Sequence, residues 1–167
     1  MKTGPLVRLF HLIVASAVTS LAVFAADWNQ WRGPNRDGIV TGFKAPATWT
    51  TTSLSKQWTV PVGEGHASPV VVGDRVYVFT REDDKEILRC LAVGDGRIIW
   101  QDAYAAPYEM NRAARGHGKG PKATPTVVDG RVFTLGINGH VSAYDAAKGT
   151  VLWRKSFAGD FKSTAPV

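Results

Sequence analysis

Along residues 67–155 short apolar runs alternate with turns rich in Gly, Asp and Asn, and the whole series occurs twice. "ASPVVVGDRVYVFT" (67–80) matches "ATPTVVDGRVFTLG" (123–136) at a shift of 56 residues, with Pro69 over Pro125, Arg75 over Arg131 and Tyr77 over Phe133. "CLAVGDGRIIW" (90–100) then matches "AYDAAKGTVLW" (143–153) at a shift of 53. The difference of three residues is assigned to one loop, where "REDDKE" (81–86) in the first set stands against "NG" (138–139) in the second. Each set predicts four short strands, at 67–72, 75–80, 87–92 and 97–101, and at 124–128, 131–135, 140–144 and 151–155. Gly73-Asp74, Asp129-Gly130 and Asn138-Gly139 read as two-residue hairpin turns, because Gly, Asn and Asp tolerate positive φ. Val76 and Val78 alternating with Tyr77 and Phe79 suit a strand covered on both faces.

Four-stranded units recurring every ~40–50 residues are the signature of a β-propeller. The expected fold is therefore all-β, with blades over residues 67–101 and 124–155. Trp58, Trp100 and Trp153 mark fourth strands, and Trp58, in "SLSKQWTVPV", ends a preceding, incomplete blade. In "STAPV" (163–167) Pro166 stands where Pro69 and Pro125 stand, at the start of a third blade. Propellers close with about 4–8 blades, and two alone would leave long unpaired strand edges. The chain is expected to be the amino-terminal piece of a longer protein, the alternative being a short chain that assembles with copies of itself. Residues 1–25 form a leader, 26–57 a lead-in segment and 58–167 a partial propeller.

The leader changes the compartment. Lys2 and Arg8 precede an almost wholly apolar stretch from Leu9 to Phe24, and "VFAAD" offers Val23 and Ala25 for cleavage before Ala26. That is the pattern of a secretory signal peptide. A retained anchor is the alternative, since Leu9 to Ala26 is 18 residues long, near the lower limit for crossing a bilayer. With the leader removed no stable membrane span is expected. The rest carries 18 basic and 14 acidic residues, a net charge of +4. Without a basic stripe this offers little to nucleic acid. Cys90 is the single cysteine, so no intramolecular disulfide is available. It aligns with Ala143 and reads as a small buried apolar residue. No Cys follows the apolar stretch, as a lipid-anchored amino terminus would require. The expected location is periplasmic or extracellular, in the cell envelope, and not as a lipoprotein.

Candidate chemistry concentrates in two loops. "VGEGHASP" (62–69) and "MNRAARGHGKGPKATP" (110–125) each lead from an outer fourth strand to the next inner first strand. In a propeller such connections cross one face, which places Glu64, His66, Arg115, His117 and Lys119 on one rim. The second loop also carries Arg112 and Lys122, with no acid after Glu109. That suits an anion- or partner-binding rim; the plainer alternative is a solvated loop turned by its glycines. "GHGKGP" lacks the strand–loop–helix setting of a phosphate loop, and His66 and His117 do not form a metal motif. "REDDKE" reads as a solvated hairpin tip without calcium-loop spacing, and His140 as exposed strand. In "DWNQWRGPNRDG", Trp28, Trp31 and Arg32 are costly to expose and are expected to dock on the propeller, either plugging an end or completing the last blade.

"AYDAAKGTVLW", with Ala143, Asp145, Gly149 and Trp153, resembles the blade motif of pyrrolo-quinoline quinone (PQQ) repeat propellers. "CLAVGDGRIIW" is a weaker copy that keeps Gly96, Arg97 and Trp100 but has Ala92 in place of the Asp. "DWNQWRGPNRDG" is similar to the lead-in of exported PQQ-binding-like propeller proteins, a group related to the outer-membrane assembly factor BamB. The likeness covers residues 27–167. In this motif Trp is expected to pack flat between blades, and Asp145 to fix the turn before Gly149, a position of positive φ. Two functions share such repeats, and a fold alone does not choose between them. BamB-like proteins are scaffolds and imply a protein partner or small ligand at the rim, with no catalytic residue and no metal or cofactor in this stretch. Quinoprotein dehydrogenases imply PQQ with calcium, oxidising alcohols or sugars; in some a vicinal disulfide covers the cofactor, and Cys90 has no neighbour to form one. The scaffold is the expected function and the dehydrogenase the alternative.

Overall fold

The structure, a computed structural model, describes residues 27–157. The leader over residues 1–25 and the blade start at 163–167, with Pro166, lie outside the described residues. Eight strands run in sequence: β1 (Val70–Val72), β2 (Arg75–Glu82), β3 (Lys85–Ala92), β4 (Ile98–Ala105), β5 (Thr126–Val128), β6 (Arg131–Leu135), β7 (His140–Asp145) and β8 (Val151–Ser156). They form two antiparallel four-stranded meanders, β1 to β4 and β5 to β8, which are two blades of a propeller. A 3-10 helix at Arg112–His117 lies in the connection between them.

The hairpins follow the turn chemistry, with two corrections. At Asp129-Gly130 both residues have positive φ (48° and 68°), and at Gly73-Asp74 only the glycine does (58°). The turn expected at Asn138-Gly139 is longer. Gly136 donates to the His140 carbonyl (2.8 Å) and Gly139 to the Gly136 carbonyl (3.1 Å), so three residues, Ile137 to Gly139, close the loop. The positive φ falls on Gly139 alone (83°), the arrangement of a turn followed by a glycine bulge. The second correction concerns "REDDKE". Strand pairing runs on to Glu82↔Lys85, leaving only Asp83-Asp84 as the turn. Arg81 is 1% exposed and Glu86 0%, so these two are core residues of the hairpin and not its solvated tip. The first strands are also shorter than expected, starting at Val70 and Thr126, and β4 runs longer, to Ala105.

One face of the first blade packs on the second. Tyr77, Phe79, Leu88, Cys90 and Tyr104 meet Val127, Val132, Tyr144 and Ala146 in a single apolar cluster. The larger aliphatic and aromatic members, such as Phe79, Leu88, Val127 and Val132, each contribute about 1.5–3 kcal/mol on burial. Trp100 sits at the edge of this contact. Its ring stacks near Tyr144 (centroids 6.4 Å, 22° between planes) and tilts against Tyr77 (5.9 Å). A Cβ on Gly149 would collide with the indole, so only glycine fits there, and its φ of 73° is one that glycine adopts readily. The Ala146 carbonyl receives Trp100 Nε1 (3.1 Å), Tyr77 Oη (3.1 Å) and Arg75 Nη1 (3.1 Å). Asp145 holds this turn as expected: its Oδ1 accepts from the Ala147 and Lys148 N–H groups at 2.9 and 2.8 Å.

The same contact occurs one step earlier. Trp58 lies on Gly96, where a Cβ would come within 2.6 Å of the ring, and its Nε1 donates to the Val93 carbonyl (2.7 Å). Trp58 thus packs as the end of a preceding blade would, although no strand is assigned to it. Trp153 touches Phe133 of its own blade (6.2 Å) and is 42% exposed. The expected packing between blades is therefore found for Trp58 and Trp100, and not for Trp153 among the described residues.

A polar layer crosses the same interface. The Glu86 carboxylate accepts from Tyr104 Oη (2.5 Å) and from the Ile137 N–H of the next blade (2.7 Å). Arg154 reaches back to Asp102 Oδ2 (2.5 Å) and stands over the Tyr104 ring at 4.0 Å. His140, expected to be exposed strand, is half-buried against Tyr104 (5.2 Å), with its Nδ1 2.5 Å from Asn138 Oδ1. Cys90 is buried and free, and burial pushes its thiol above the ordinary value.

The lead-in docks by its first residues only. Trp28 and Val71 exchange hydrogen bonds (2.7 and 2.9 Å), and Asn29 exchanges bonds with Val127 through backbone and side chain (2.8 and 3.0 Å). The segment therefore crosses the inner strands of both blades. Trp31 does not dock: it is 59% exposed with the Arg32 guanidinium 5.4 Å from its ring centroid.

Two outcomes follow. In the whole protein Trp100→Ala should cost about 3 kcal/mol or more, as a large-to-small change at a packed contact; urea unfolding measures it, and a cost below about 1 kcal/mol would remove Trp100 as the interblade anchor. The second concerns alkaline pH. Tyr77 is pushed up to about 12, by burial first and by neighbouring Cys90 next. Tyr104 and Tyr144 are also raised, chiefly by burial. Because the folded phenols hold their protons more tightly than unfolded ones, this stabilisation is complete below the unfolded value and is lost as pH rises through the folded one. The urea midpoint should fall as pH climbs from 10 towards 12, and Tyr77→Phe should flatten part of that fall.

Candidate functional site

The two loops singled out in the sequence meet. The His66 and Ala67 N–H groups donate to the Pro121 carbonyl (2.9 and 3.1 Å), and His66 Nε2 lies 2.6 Å from the His117 carbonyl oxygen. Gly120 lies so close that a Cβ would stand 2.5 Å from the Glu64 oxygen and the Gly65 Cα. The loops are thus joined main chain to main chain, and glycine is what allows the approach.

The first blade's long hairpin positions Glu64. Its N–H donates to the Arg81 carbonyl (2.9 Å) and its carbonyl accepts from the Arg81 N–H (2.8 Å), a short bridge along β2. The Val62 carbonyl is held by Arg89 Nη1 (2.9 Å) and by the Thr80 hydroxyl. Arg89 in turn pairs with Glu82 (2.7 Å). Arg81 is fixed by the Asp83 carbonyl (2.8 Å), Asp84 Oδ1 (3.1 Å) and the Ala106 carbonyl (2.8 Å). The charged run that the sequence suggested was merely solvated is therefore the platform beneath the loop.

On the other side the connection from β4 to β5 folds into the 3-10 helix. Asn111 caps it, its side chain accepting from the Ala113 N–H at 3.1 Å. Gly118 ends it at φ 64°, where a Cβ would stand 3.1 Å from Glu64 Oε2.

Between the loops lies a cleft of about 470 Å³ lined by Glu64, Glu109, Met110, Arg115, Gly118 and Lys119. Of the residues expected on one rim, Glu64, Arg115 and Lys119 line this cleft, while His66 and His117 are spent on joining its walls. Arg112 and Lys122 do not line it; Lys122 Nζ lies 3.4 Å from the His117 carbonyl. Glu109 and Met110 were not among the expected site residues. Their signal was position, since they begin the same connection, ahead of its basic run.

Calcium takes several oxygen ligands, and among the described residues no three His, Cys, Asp or Glu side chains come together. Among the described residues no helix is long and apolar enough to cross a membrane.

A family profile described as "Outer membrane protein assembly factor BamB" matches residues 84–167. The outer membrane protein assembly factor BamB of Moranella endobia (strain PCIT) is 31% identical over 72 residues, which is 43% of this chain and 18% of that protein. The chain thus spans under a fifth of this relative's length. Among solved structures, BamB from Moraxella catarrhalis is 25% identical at a TM-score of 0.39, over 55% of this chain and 24% of that one. A europium-containing methanol dehydrogenase is 24% identical at 0.39, over 57% and 16%. The quinohemoprotein alcohol dehydrogenase ADHIIG from Pseudomonas putida HK5 is 23% identical at 0.42, over 64% and 15%.

If Gly120 is what lets the loops join, Gly120→Ala should part them. The His66 and Ala67 amides would then exchange with solvent faster while the blade strands keep their protection. Unchanged exchange at these two amides would show that the loops do not depend on this approach.

Proposed function

The chain belongs to the family of the outer membrane protein assembly factor BamB, and from that premise we propose that it is a non-catalytic propeller scaffold of the cell envelope. Its rim presents the joined interblade loops to a protein partner in outer-membrane assembly. The observation that carries this reading is the family match over residues 84–167. The rim supports it in kind. Loops held by a rigid blade are where binding residues concentrate, and these are fixed by main-chain bonds and by the buried base of a hairpin. The leader pattern in the sequence and the family's own name support an exported, periplasmic location. PQQ is not required for such a role, because the propeller acts through its surface.

The test is genetic and biochemical. Deleting the gene in its own organism should lower the amount of β-barrel proteins in the outer membrane, and the intact gene should restore it. An unchanged outer-membrane protein profile would overturn the assembly role. The complete protein, given saturating PQQ and calcium, should show neither quinone absorbance nor dye-linked oxidation of alcohols or sugars. Turnover under those conditions would replace the scaffold by the dehydrogenase.

A further inference from the structure

Four charged residues line the rim cleft, and among the described residues their side chains are unpaired. Glu64 and Glu109 bring carboxylates and Arg115 and Lys119 bring cations. Among the described residues no hydrogen bond or ion pair reaches any of these four side chains, although ion pairs form elsewhere in the same blades. The backbone that carries three of them is not loose. Glu64 is bridged both ways to Arg81, Arg115 stands on a capped 3-10 helix, and Lys119 lies between two glycines packed against the Glu64 loop. Much of the cost of ordering these walls is therefore met before anything binds.

The charge pattern constrains the occupant. A simple anion would be drawn by Arg115 and Lys119 and repelled by the two glutamates, and a simple cation would meet the reverse. Only a ligand with both signs is favoured by all four. Met110 adds a flexible apolar contact of the sort that adapts to side-chain stems. We propose that this cleft takes a polypeptide segment in which a basic and an acidic side chain are neighbours. Glu64 and Glu109 receive the cation, Arg115 and Lys119 receive the carboxylate, and Met110 packs the stems between them. The inference rests on the rim-binding reading above and deepens it by naming the partner's chemistry.

Met110 provides the reporter. The sequence has two methionines, Met1 and Met110. In the full-length protein labelled with 13C at the methionine methyls, the cleft resonance is assigned by its loss in Met110→Leu. The probes are N-acetyl-lysyl-glutamate amide, N-acetyl-lysine amide, N-acetyl-glutamate amide and free glycine. The dipeptide should shift the Met110 methyl saturably, and at lower concentration than any other probe. Glu64→Gln and Lys119→Gln should each weaken it by roughly 2- to 5-fold, the worth of an exposed ion pair.

No shift with the dipeptide overturns the proposal. So does an equal shift with N-acetyl-glutamate amide, which would make the cleft an anion site, or with glycine, which would make it indifferent to side-chain charge. The two readings fail separately. A silent dipeptide together with the expected loss of outer-membrane β-barrel proteins on deletion removes the cleft inference alone. A silent deletion with a binding dipeptide removes the assembly role and supports the cleft.

Discussion

The structure depends on one contact, an indole laid on a glycine of the next blade. Trp100 meets Gly149 and donates to the Ala146 carbonyl, and Trp58 meets Gly96 and donates to the Val93 carbonyl. Gly96 and Gly149 are 53 residues apart, and so are Val93 and Ala146. The repeat in the sequence is therefore the repeat of this contact. It needs a turn with a glycine of positive φ, a carbonyl aimed at the preceding blade, and an aromatic ring at the end of that blade. In units that touch only their neighbours, stability is a sum of such contacts. Trp100, which has such a partner, is half-buried, and Trp153, which meets none among the described residues, is 42% exposed.

Apolar packing alone would let two flat blades slide. The polar layer gives the interface a register. Glu86 must meet both Tyr104 and the Ile137 N–H, and Arg154 must meet Asp102 while lying over Tyr104. A buried charge left without its partner costs several kcal/mol, about 3–5 in measured cases, so a shift of one residue is strongly disfavoured. Gly136 belongs to the same constraint: a Cβ there would fall on the Glu86 carboxylate and the Tyr104 hydroxyl.

Much of this was legible in the sequence, for a physical reason. Turn residues, strand alternation and the Trp–Gly spacing are local or strictly repeated, and they placed the strands and the Asp145 turn. Most of what failed depended on contacts between distant segments. Arg81 and Glu86 look like a solvated tip because charge usually means water; their burial comes from Ala106 and Ile137, on other elements. His140 follows a turn, and it is Tyr104 of the other blade that packs against its ring. Trp31 was expected to dock because exposed aromatic area is costly, yet the loop closes on itself, with Arg32 bonded to the Asp37 carbonyl (3.0 Å) and Arg36 to Gln30 (3.0 Å). At the rim, Glu64, Arg115 and Lys119 could be grouped by composition. Glu109 and Met110 could not, since only the folded connection turns them into the cleft.

The departures from the repeat are where the rim is made. Three residues more in the first blade lengthen β2 and β3, and that added hairpin carries Arg81, Glu82 and Glu86. Arg81 and Arg89 reach from it to hold Val62 to Glu64, so the loop that enters the first blade is fixed by the residues that break the symmetry. The second blade, with the shorter β6 and β7, has no such platform. A repeat that copied itself without change would give equivalent rims at every step and no reason for a partner to choose one. By lengthening one hairpin the chain makes the junction between these two blades different, and there Glu64, Glu109, Arg115 and Lys119 line the cleft without partners among the described residues. Between the two described blades, the break in the repeat and the cleft fall at the same junction.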